Sequence, residues 1–330
     1  MRIKNIFITG ISGSGGSYLA EHILNKKKNY RIFGIYRNKK KLDSYNLKNL
    51  IKNPKVKLNY MPLNSVKKIQ TYLKKIKPDI IFHLASDANV LNSFKEPYKL
   101  TKNNVSITMN LLEAFRLSKL NSRFVLCSTS EVYGNVKKKF QPITEKTKID
   151  PINPYAVSKT FQDLLAQNYY KIYDLDIIIT RMFTYLNAKR DNLFASAFAN
   201  QIIEKQKKKN FYLNHGYLGS VRTILDIRDA MEAYWLSAVR GRKGSIYNIS
   251  GQKKLSIKKF LQKLIFHSKT NPILVKNKKL IRPKDIDLQI SSSNLFKKDT
   301  LWKEKFNLDD SINYFYNEIK KKYEFKQKKI

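Results

Sequence analysis

A chain of 330 residues with 42% apolar and 12% aromatic side chains can bury a sizeable core, which excludes a disordered or collagen-like polymer and leaves room for two domains or one large α/β unit with a lobe. The 65 Lys and Arg against 25 Asp and Glu give a formal charge of +40, a balance that suits anionic partners. The lysines lie in short runs along the whole chain (Lys39–Lys41, Lys137–Lys139, Lys207–Lys209, Lys320–Lys322), the pattern of a solvated coat rather than of a dedicated nucleic-acid site.

In chain order, Asn5–Thr9 is the first run that is apolar almost throughout and rich in Ile and Phe, as a strand buried on both faces of a parallel sheet must be. Thr9-Gly10-Ile11-Ser12-Gly13-Ser14-Gly15-Gly16 follows at once, and Ser17–Asn25 then carries apolar residues at helical spacing. In such a strand–turn–helix setting Gly10 permits a tight turn, Gly13 lets backbone approach a diphosphate, and Gly16 lets helix and strand pack closely. The amide groups and positive dipole end of the helix would face the phosphates. Arg31–Tyr36 reads as the second strand. About 20 residues past the loop, where a free ribose 2′-hydroxyl usually meets a carboxylate, stand Arg37 and Lys39–Lys41. A 2′-phosphate suits those cations, so NADP is expected, with NAD the alternative.

Asp79–Leu84, helical Val105–Lys119 and strand Arg123–Ser128 come next. At the carboxyl end of that last strand, where ligands of open α/β sheets sit, stands Cys127-Ser128-Thr129-Ser130-Glu131-Val132-Tyr133-Gly134. The Thr129 hydroxyl can hydrogen-bond a reacting oxygen, and Glu131 can serve as a second base at a neighbouring carbon; Cys127 is expected to be a buried strand residue. Tyr-x-x-x-Lys recurs too often in so lysine-rich a chain to mean anything by itself, but Tyr155/Lys159 alone follows a Pro151-Ile152-Asn153-Pro154 turn and opens a long helix, Tyr155–Tyr173. One helical turn puts both on one face. There the ammonium, beside a cationic nicotinamide, would lower the phenol toward working pH and make Tyr155 a base for a hydroxyl proton.

Asp176–Met182 is the next strand. After about Thr184 the regularity fades and glycine-punctuated loops appear, so residues 184–330 are expected to be mainly a smaller lobe, with 224–235 able to return to the first domain, residues 1–183; Ser311–Tyr323 reads as a terminal amphipathic helix. The alternation means βαβ units, hence an α/β, Rossmann-type doubly wound parallel sheet with a smaller C-terminal α/β substrate lobe. Cys127 is the only cysteine and the four histidines have no metal-ligand spacing, so neither an intramolecular disulfide nor a metal is expected. No apolar run approaches the roughly 20 residues of a membrane span, and the apolar start is broken at Thr9-Gly10, too early for a secretory signal. A soluble cytoplasmic protein is the expectation.

These residues carry a resemblance. Ile8-Thr9-Gly10 through Glu21, Thr129-Ser130-Glu131-Val132-Tyr133-Gly134 and Asn153-Pro154-Tyr155-Ala156-Val157-Ser158-Lys159 resemble the extended short-chain dehydrogenases/reductases, and within them the nucleotide-sugar 4,6-dehydratases, most of all the GDP-mannose 4,6-dehydratases. Asn104 with Asn110-Leu111-Leu112-Glu113-Ala114, Val221-Arg222-Thr223 and Arg282-Pro283-x-Asp285-x-Asp287 extend the match. The resemblance implies Thr129, Glu131, Tyr155 and Lys159 as catalytic residues, Gly10, Gly13 and Gly16 on NADP, Arg222 and Arg282 on the diphosphate of a nucleotide sugar, and a homodimer or homotetramer. It implies a closed redox cycle: oxidation at C4, loss of water across C5 and C6 with Glu131 as base, and return of the hydride to C6.

The match has departures. Arg181-Met182-Phe183-Thr184 stands where Arg-x-Phe-Asn is common, Met61-Pro62-Leu63-Asn64 replaces an acidic residue after the third strand, and Gly15 replaces a larger residue. Two other readings remain. One keeps the fold but changes the chemistry to a 4-epimerase, 4-keto reductase or UDP-glucuronate decarboxylase; Glu131 speaks against an epimerase, which needs no base at C5. The other is a non-catalytic basic binding module, against which the full set of Thr129, Glu131, Tyr155 and Lys159 speaks.

Overall fold

Short runs of Ile, Val and Phe, separated by amphipathic stretches, fold here as strands and covering helices. The computed structural model describes residues 4–26, 29–206, 208, 210–281 and 285–328. The first half runs β1 (Lys4–Thr9), α1 (Ser14–Leu24), β2 (Tyr30–Tyr36), β3 (Val56–Tyr60), α2 (Val66–Ile76), β4 (Ile80–His83), α3 (Val90–Lys95), α4 (Pro97–Ser118), β5 (Arg123–Thr129), α5 (Pro154–Tyr173) and β6 (Ile177–Met182). There follow α6 (Phe194–Lys205), β7 (Tyr212–His215), β8 (Val221–Ile224), α7 (Ile227–Arg240) and β9 (Ile246–Ile249). The chain ends with β10 (Lys253–Ser256), α8 (Ile257–Ser268), β11 (Ile273–Lys276), β12 (Leu288–Gln289), α9 (Asn294–Thr300) and α10 (Leu308–Gln327).

The large sheet has 7 strands in the order β3-β2-β1-β4-β5-β6-β9, and every pairing in it is parallel. Its order reverses between β1 and β4, which opens the crevice used by ligands of doubly wound sheets. Both faces are covered. Phe7, Leu73, Leu111, Phe115, Phe124 and Ile179 form a core under α2, α4 and α5, while Ile6, Ile8, Leu19, Val125, Ile178, Met231 and Trp235 form another under α1 and α7. Adjacent residues of β1 thus feed opposite cores, as the two-residue period of a strand requires. Phe115 of α4 stacks on Phe124 of β5 with centroids 5.7 Å apart; each ring so buried contributes about 1.5–3 kcal/mol.

Two features differ from the sequence expectation. α4 begins at Pro97 rather than Val105, because proline at the first helical position is already set to φ near −65° and the first two turns, being polar, carry no apolar period. The chain also stays with the large sheet beyond Met182. α7 covers one face, and the returning stretch runs on past 235 into β9, which pairs with β6 in parallel. The lobe is built from two small sheets, β10-β8-β12 and β11-β7, around Ile202, Leu213, Phe260, Leu264, Phe315 and Ile319. Among the described residues no helix is long and apolar enough to cross a membrane, and no cluster of His, Cys, Asp and Glu could hold a metal ion.

Candidate active site at the carboxyl edge of the sheet

The glycine turn closes at the end of β1 by a bond from Gly13 N–H to the Gly10 carbonyl, 2.9 Å. Gly10 sits at φ +70°, and a Cβ there would come within 2.8 Å of the Ala85 backbone leaving β4. At Gly16 a Cβ would come within 2.5 Å of the Gly10 carbonyl oxygen. The turn is therefore a cradle that side chains would fill. Gly13 caps α1 without any side chain to bind the helix's first amide groups, and no acidic residue stands in the first turn, so those donors face the crevice with the positive end of the helix dipole. A dinucleotide diphosphate fits that arrangement. At the neighbouring strand end Arg37 is exposed and donates to Asn103 Oδ1, while the ammonium of Lys39 lies 5.3 Å from the centre of the Tyr60 ring.

Across the crevice, β5 ends at Thr129, whose hydroxyl accepts from the Glu131 N–H at 3.3 Å and starts a 3₁₀ turn over Ser130–Tyr133. Asn153 caps α5 through a bond from Ala156 N–H, 2.8 Å, and Pro154 takes the first helical position. The helix then presents Tyr155 and Lys159 inward, 8% and 4% exposed. Burial pushes the Tyr155 phenol up to about 12; the Arg190 guanidinium most strongly opposes that rise, the Glu131 carboxylate adds to it, and the nearby Thr129 hydroxyl opposes it. Tyr155, Thr129 and Glu131 therefore face one another.

Lys159 is fastened to the end of β5. Its ammonium donates to the Cys127 carbonyl at 2.8 Å; burial pulls it down to about 8, against the pull of Cys127 and Asp163. Among the protein's own groups the leading cation on the phenol is Arg190, and burial dominates; the lowering expected from the sequence belongs to the pocket with a cationic nicotinamide beside the ring. The physical reason is depth: a phenol shut away from water loses more by ionising than one nearby cation returns. Cys127 is buried in β5 with its thiol pushed up to about 12 by that burial.

Beneath these groups lies a polar floor. His83, buried on β4 and held down at about 3 by burial and by Lys159, contacts Thr9 Oγ1 through Nδ1 and Thr108 Oγ1 through Nε2, each at 2.8 Å. Thr9 Oγ1 already accepts from Ala85 N–H and Thr108 Oγ1 already donates to the Asn104 carbonyl, so Nε2 carries the ring proton. On the other side Arg181, 2% exposed, makes two bonds of 2.9 Å to Asp163 on α5. Asp163 also accepts from Ser128, and Arg181 donates to the Tyr133 hydroxyl.

Arg222, on β8, donates to the Val221 carbonyl and lies 3.5 Å from Asp285. It registers with Gln289 of β12, and Gln289 hydrogen-bonds both the hydroxyl and the carbonyl of Ser130, beside Glu131. Arg282 lies outside the described residues. Two residues that the motifs did not signal also enter the site from the irregular stretch after β6. Arg190 acts on both phenols, Tyr155 and Tyr185. The Tyr185 hydroxyl would lie 3.6 Å from a Cβ at Gly15, so it reaches the glycine turn.

A glycine cradle at the switch point of a parallel sheet, faced by Thr129, Glu131, Tyr155 and Lys159, defines an extended short-chain dehydrogenase/reductase. The chain belongs to the GDP-mannose 4,6 dehydratase family, whose model matches residues 7–314. It is 32% identical over 277 residues to a dTDP-D-glucose 4,6-dehydratase of Dictyostelium discoideum, a match covering 80% of this chain but only 62% of that protein. It is 27% identical over 340 residues to a GDP-mannose 4,6 dehydratase of Drosophila melanogaster, covering 94% and 85%. In fold it is similar to UDP-glucuronic acid 4-epimerase of Bacillus cereus, solved with UDP-glucuronic acid and NAD: TM-score 0.86, 24% identity, 96% and 99% of the two chains.

Proposed function

We propose that the protein is an NADP-dependent hydro-lyase that converts a nucleotide-activated hexose, GDP-mannose first among the candidates, to its 4-keto-6-deoxy derivative. The observation that carries this reading is the placement of a carboxylate, Glu131, two residues past Thr129 and hydrogen-bonded to Asn153, the cap of the helix that carries Tyr155. Oxidising or inverting C4 alone needs no second base, whereas removing the C5 proton does. The family match and the two dehydratases among the relatives support it.

Gly10, Gly13 and Gly16 would hold the diphosphate of the cofactor, and Arg37 with the adjoining lysines a 2′-phosphate; NAD, which lacks that phosphate, is the alternative. When bound, the nicotinamide supplies an acceptor for the C4 hydride and afterwards its donor to C6. Tyr155 takes the C4 hydroxyl proton, and Thr129 donates to the oxygen that becomes the ketone. Lys159 holds its ammonium beneath this pocket. Glu131 then takes the C5 proton, made acidic by the adjacent ketone, and passes it to the departing C6 hydroxyl, which leaves as water; a solvent proton reaches C5 as the hydride returns to C6. Arg222 and Arg282 would grip the nucleotide diphosphate, where a planar fork suits phosphate oxygens. Val157, Phe161 and Leu164 form an exposed apolar stripe on α5, and pairing of that stripe with a second copy would give a homodimer, which light scattering reads directly. The lone, buried Cys127 suits the reducing cytoplasm.

The test is incubation with GDP-, UDP-, dTDP- and CDP-sugars in heavy water, read by NMR. A dehydratase yields a methyl signal and deuterium at C5 from one of them; an epimerase yields neither. Glu131→Gln should retain cofactor and abolish elimination, and undiminished turnover in that variant would overturn the assignment.

A further inference from the structure

We propose that Asn153 is a positioning residue for the elimination step, holding the Glu131 carboxylate in register with Tyr155. The inference rests on the dehydratase reading above. Asn153 is 5% exposed, and its one planar amide makes two bonds at once. Oδ1 accepts from Ala156 N–H at 2.8 Å, which fixes the start of α5 two residues before Tyr155; Nδ2 donates to Glu131 Oε2 at 2.9 Å. The orientation of the amide follows from its partners. Ala156 N–H can only donate, so the oxygen must face it and the NH₂ must face the carboxylate.

The backbone brings the two segments together without fixing the Glu131 side chain. Asp150 N–H donates to the Val132 carbonyl at 3.0 Å, tying the strand-end turn to the stretch that leads into Asn153. Only the Asn153 amide then sets where the carboxylate points. It fastens Oε2, while Oε1 has no hydrogen-bond partner among the described residues. That leaves Oε1 to meet the C5 proton. Tyr155 is placed by the same cap, so one side chain sets the distance between the base for the C4 hydroxyl and the base for C5. A misplacement of about 1 Å in such a pair is enough to slow a step about 100-fold.

Asn153→Asp separates this role from helix capping. Aspartate caps helices as well as asparagine, but its second oxygen would face the Glu131 carboxylate with charge against charge. The experiment uses the full chain with NADP and GDP-mannose, or whichever sugar nucleotide the wild type converts. It follows the near-ultraviolet absorbance of reduced nicotinamide, the product methyl signal, the KM and the thermal midpoint.

Wild type should form product with little reduced cofactor standing. Asn153→Asp should form product about 10- to 100-fold more slowly, with reduced cofactor accumulating on the enzyme, KM within about twofold and a midpoint lowered by the facing like charges, whereas Asn153→Ser should keep its midpoint closer to that of the wild type. Asn153→Ser, which keeps a capping oxygen but loses the amide NH₂ that extends to Glu131, should show the same accumulation, and it carries the test should the aspartate variant fail to fold. Product formation that slows without accumulation of reduced cofactor would mean that both steps suffer together, which overturns the positioning role; so would unchanged kinetics. A wild type that converts no sugar nucleotide would instead overturn the dehydratase reading on which the inference stands.

Discussion

Replacing Lys159 by methionine should make the protein more stable and inactive at the same time. The ammonium is 4% exposed, and burial pulls it from 10.5 down to about 8. The folded state thus holds this proton less tightly than the unfolded chain does. A gap of about 2.5 pH units, at about 1.36 kcal/mol each, corresponds to about 3 kcal/mol of native stability given up below pH 8. Between pH 8 and 10.5 the unfolded chain binds more protons here than the native one, so this contribution recovers as pH rises through that window and is fully restored above it. Methionine has nearly the same length and no charge to desolvate. It does forfeit the bond to the Cys127 carbonyl, about 1 kcal/mol, so the net gain at pH 7 is about 2 kcal/mol.

Urea unfolding of the cofactor-free chain, followed by the fluorescence of Trp235 and Trp302, both buried in the core around the large sheet, reads the difference between wild type and Lys159→Met at pH 7 and again near 10.5. The advantage should be present at pH 7 and gone at the higher value. The Cys127 thiol is lowered by Lys159 and so rises further in the variant, but burial holds it at about 12 even in the wild type, so the folded thiol stays protonated through the window in both proteins. A variant less stable than wild type at pH 7, or a difference that ignores pH, would refute the account of Lys159 as a charge kept buried at the expense of stability.

The Arg181–Asp163 pair obeys the opposite rule, since both partners are buried at 2% and 0% exposure. Asp163→Asn should lose about 3–5 kcal/mol by leaving the guanidinium uncompensated, while the double replacement Asp163→Leu with Arg181→Met should recover most of that loss; the same urea curves measure both. Arg190→Met removes the leading cation beside Tyr155, whose phenol already stands at about 12. The phenolate is then less favoured, so the rise of the proposed C4 oxidation with pH should move to higher pH, slowing the step at fixed pH about tenfold for each unit of displacement. Stopped-flow absorbance of reduced nicotinamide checks it.

The parts visible in the sequence are those whose signal is local. Asn5–Thr9 and Arg123–Ser128 match β1 and β5 to within a residue at either end, because a strand buried on both faces must be apolar throughout. Gly10, Gly13 and Gly16 are marked by spacing, and Tyr155 by the proline turn before it. β3 (Val56–Tyr60) is a different case: it lies at the edge of the sheet, where Lys57, Leu58 and Asn59 are not all buried, so nothing demanded an apolar run. β9 pairs with β6 across a large separation in sequence, and four residues after a glycine-broken loop give no pattern to find. Arg190 is invisible for the same reason. It stands in an irregular stretch whose course is set by bonds between Leu186 and Leu225 and between Leu225 and Thr184, none of them foreshadowed nearby.

That stretch also shows which lysines matter in a chain carrying so many. Lys322 of α10 is 4% exposed; it donates to the Ala188 carbonyl at 3.0 Å and pairs with Asp191. Lys189 is 6% exposed, reaches Glu21 on α1 at 2.7 Å and lies 4.2 Å from the centre of the Tyr18 ring. Ala188, Lys189 and Asp191 are therefore fastened on both sides of Arg190, from two helices far apart in sequence. An irregular segment has no ladder of backbone bonds of its own, so such fastenings, together with the guanidinium's own bonds to the Ala88 carbonyl and to Asn192 Oδ1, hold Arg190 near the Tyr155 phenol. The exposed lysines raise the charge to +40 and bind solvent; the desolvated ones, Lys159, Lys189 and Lys322, take part in the architecture of the site, and only burial tells the two kinds apart.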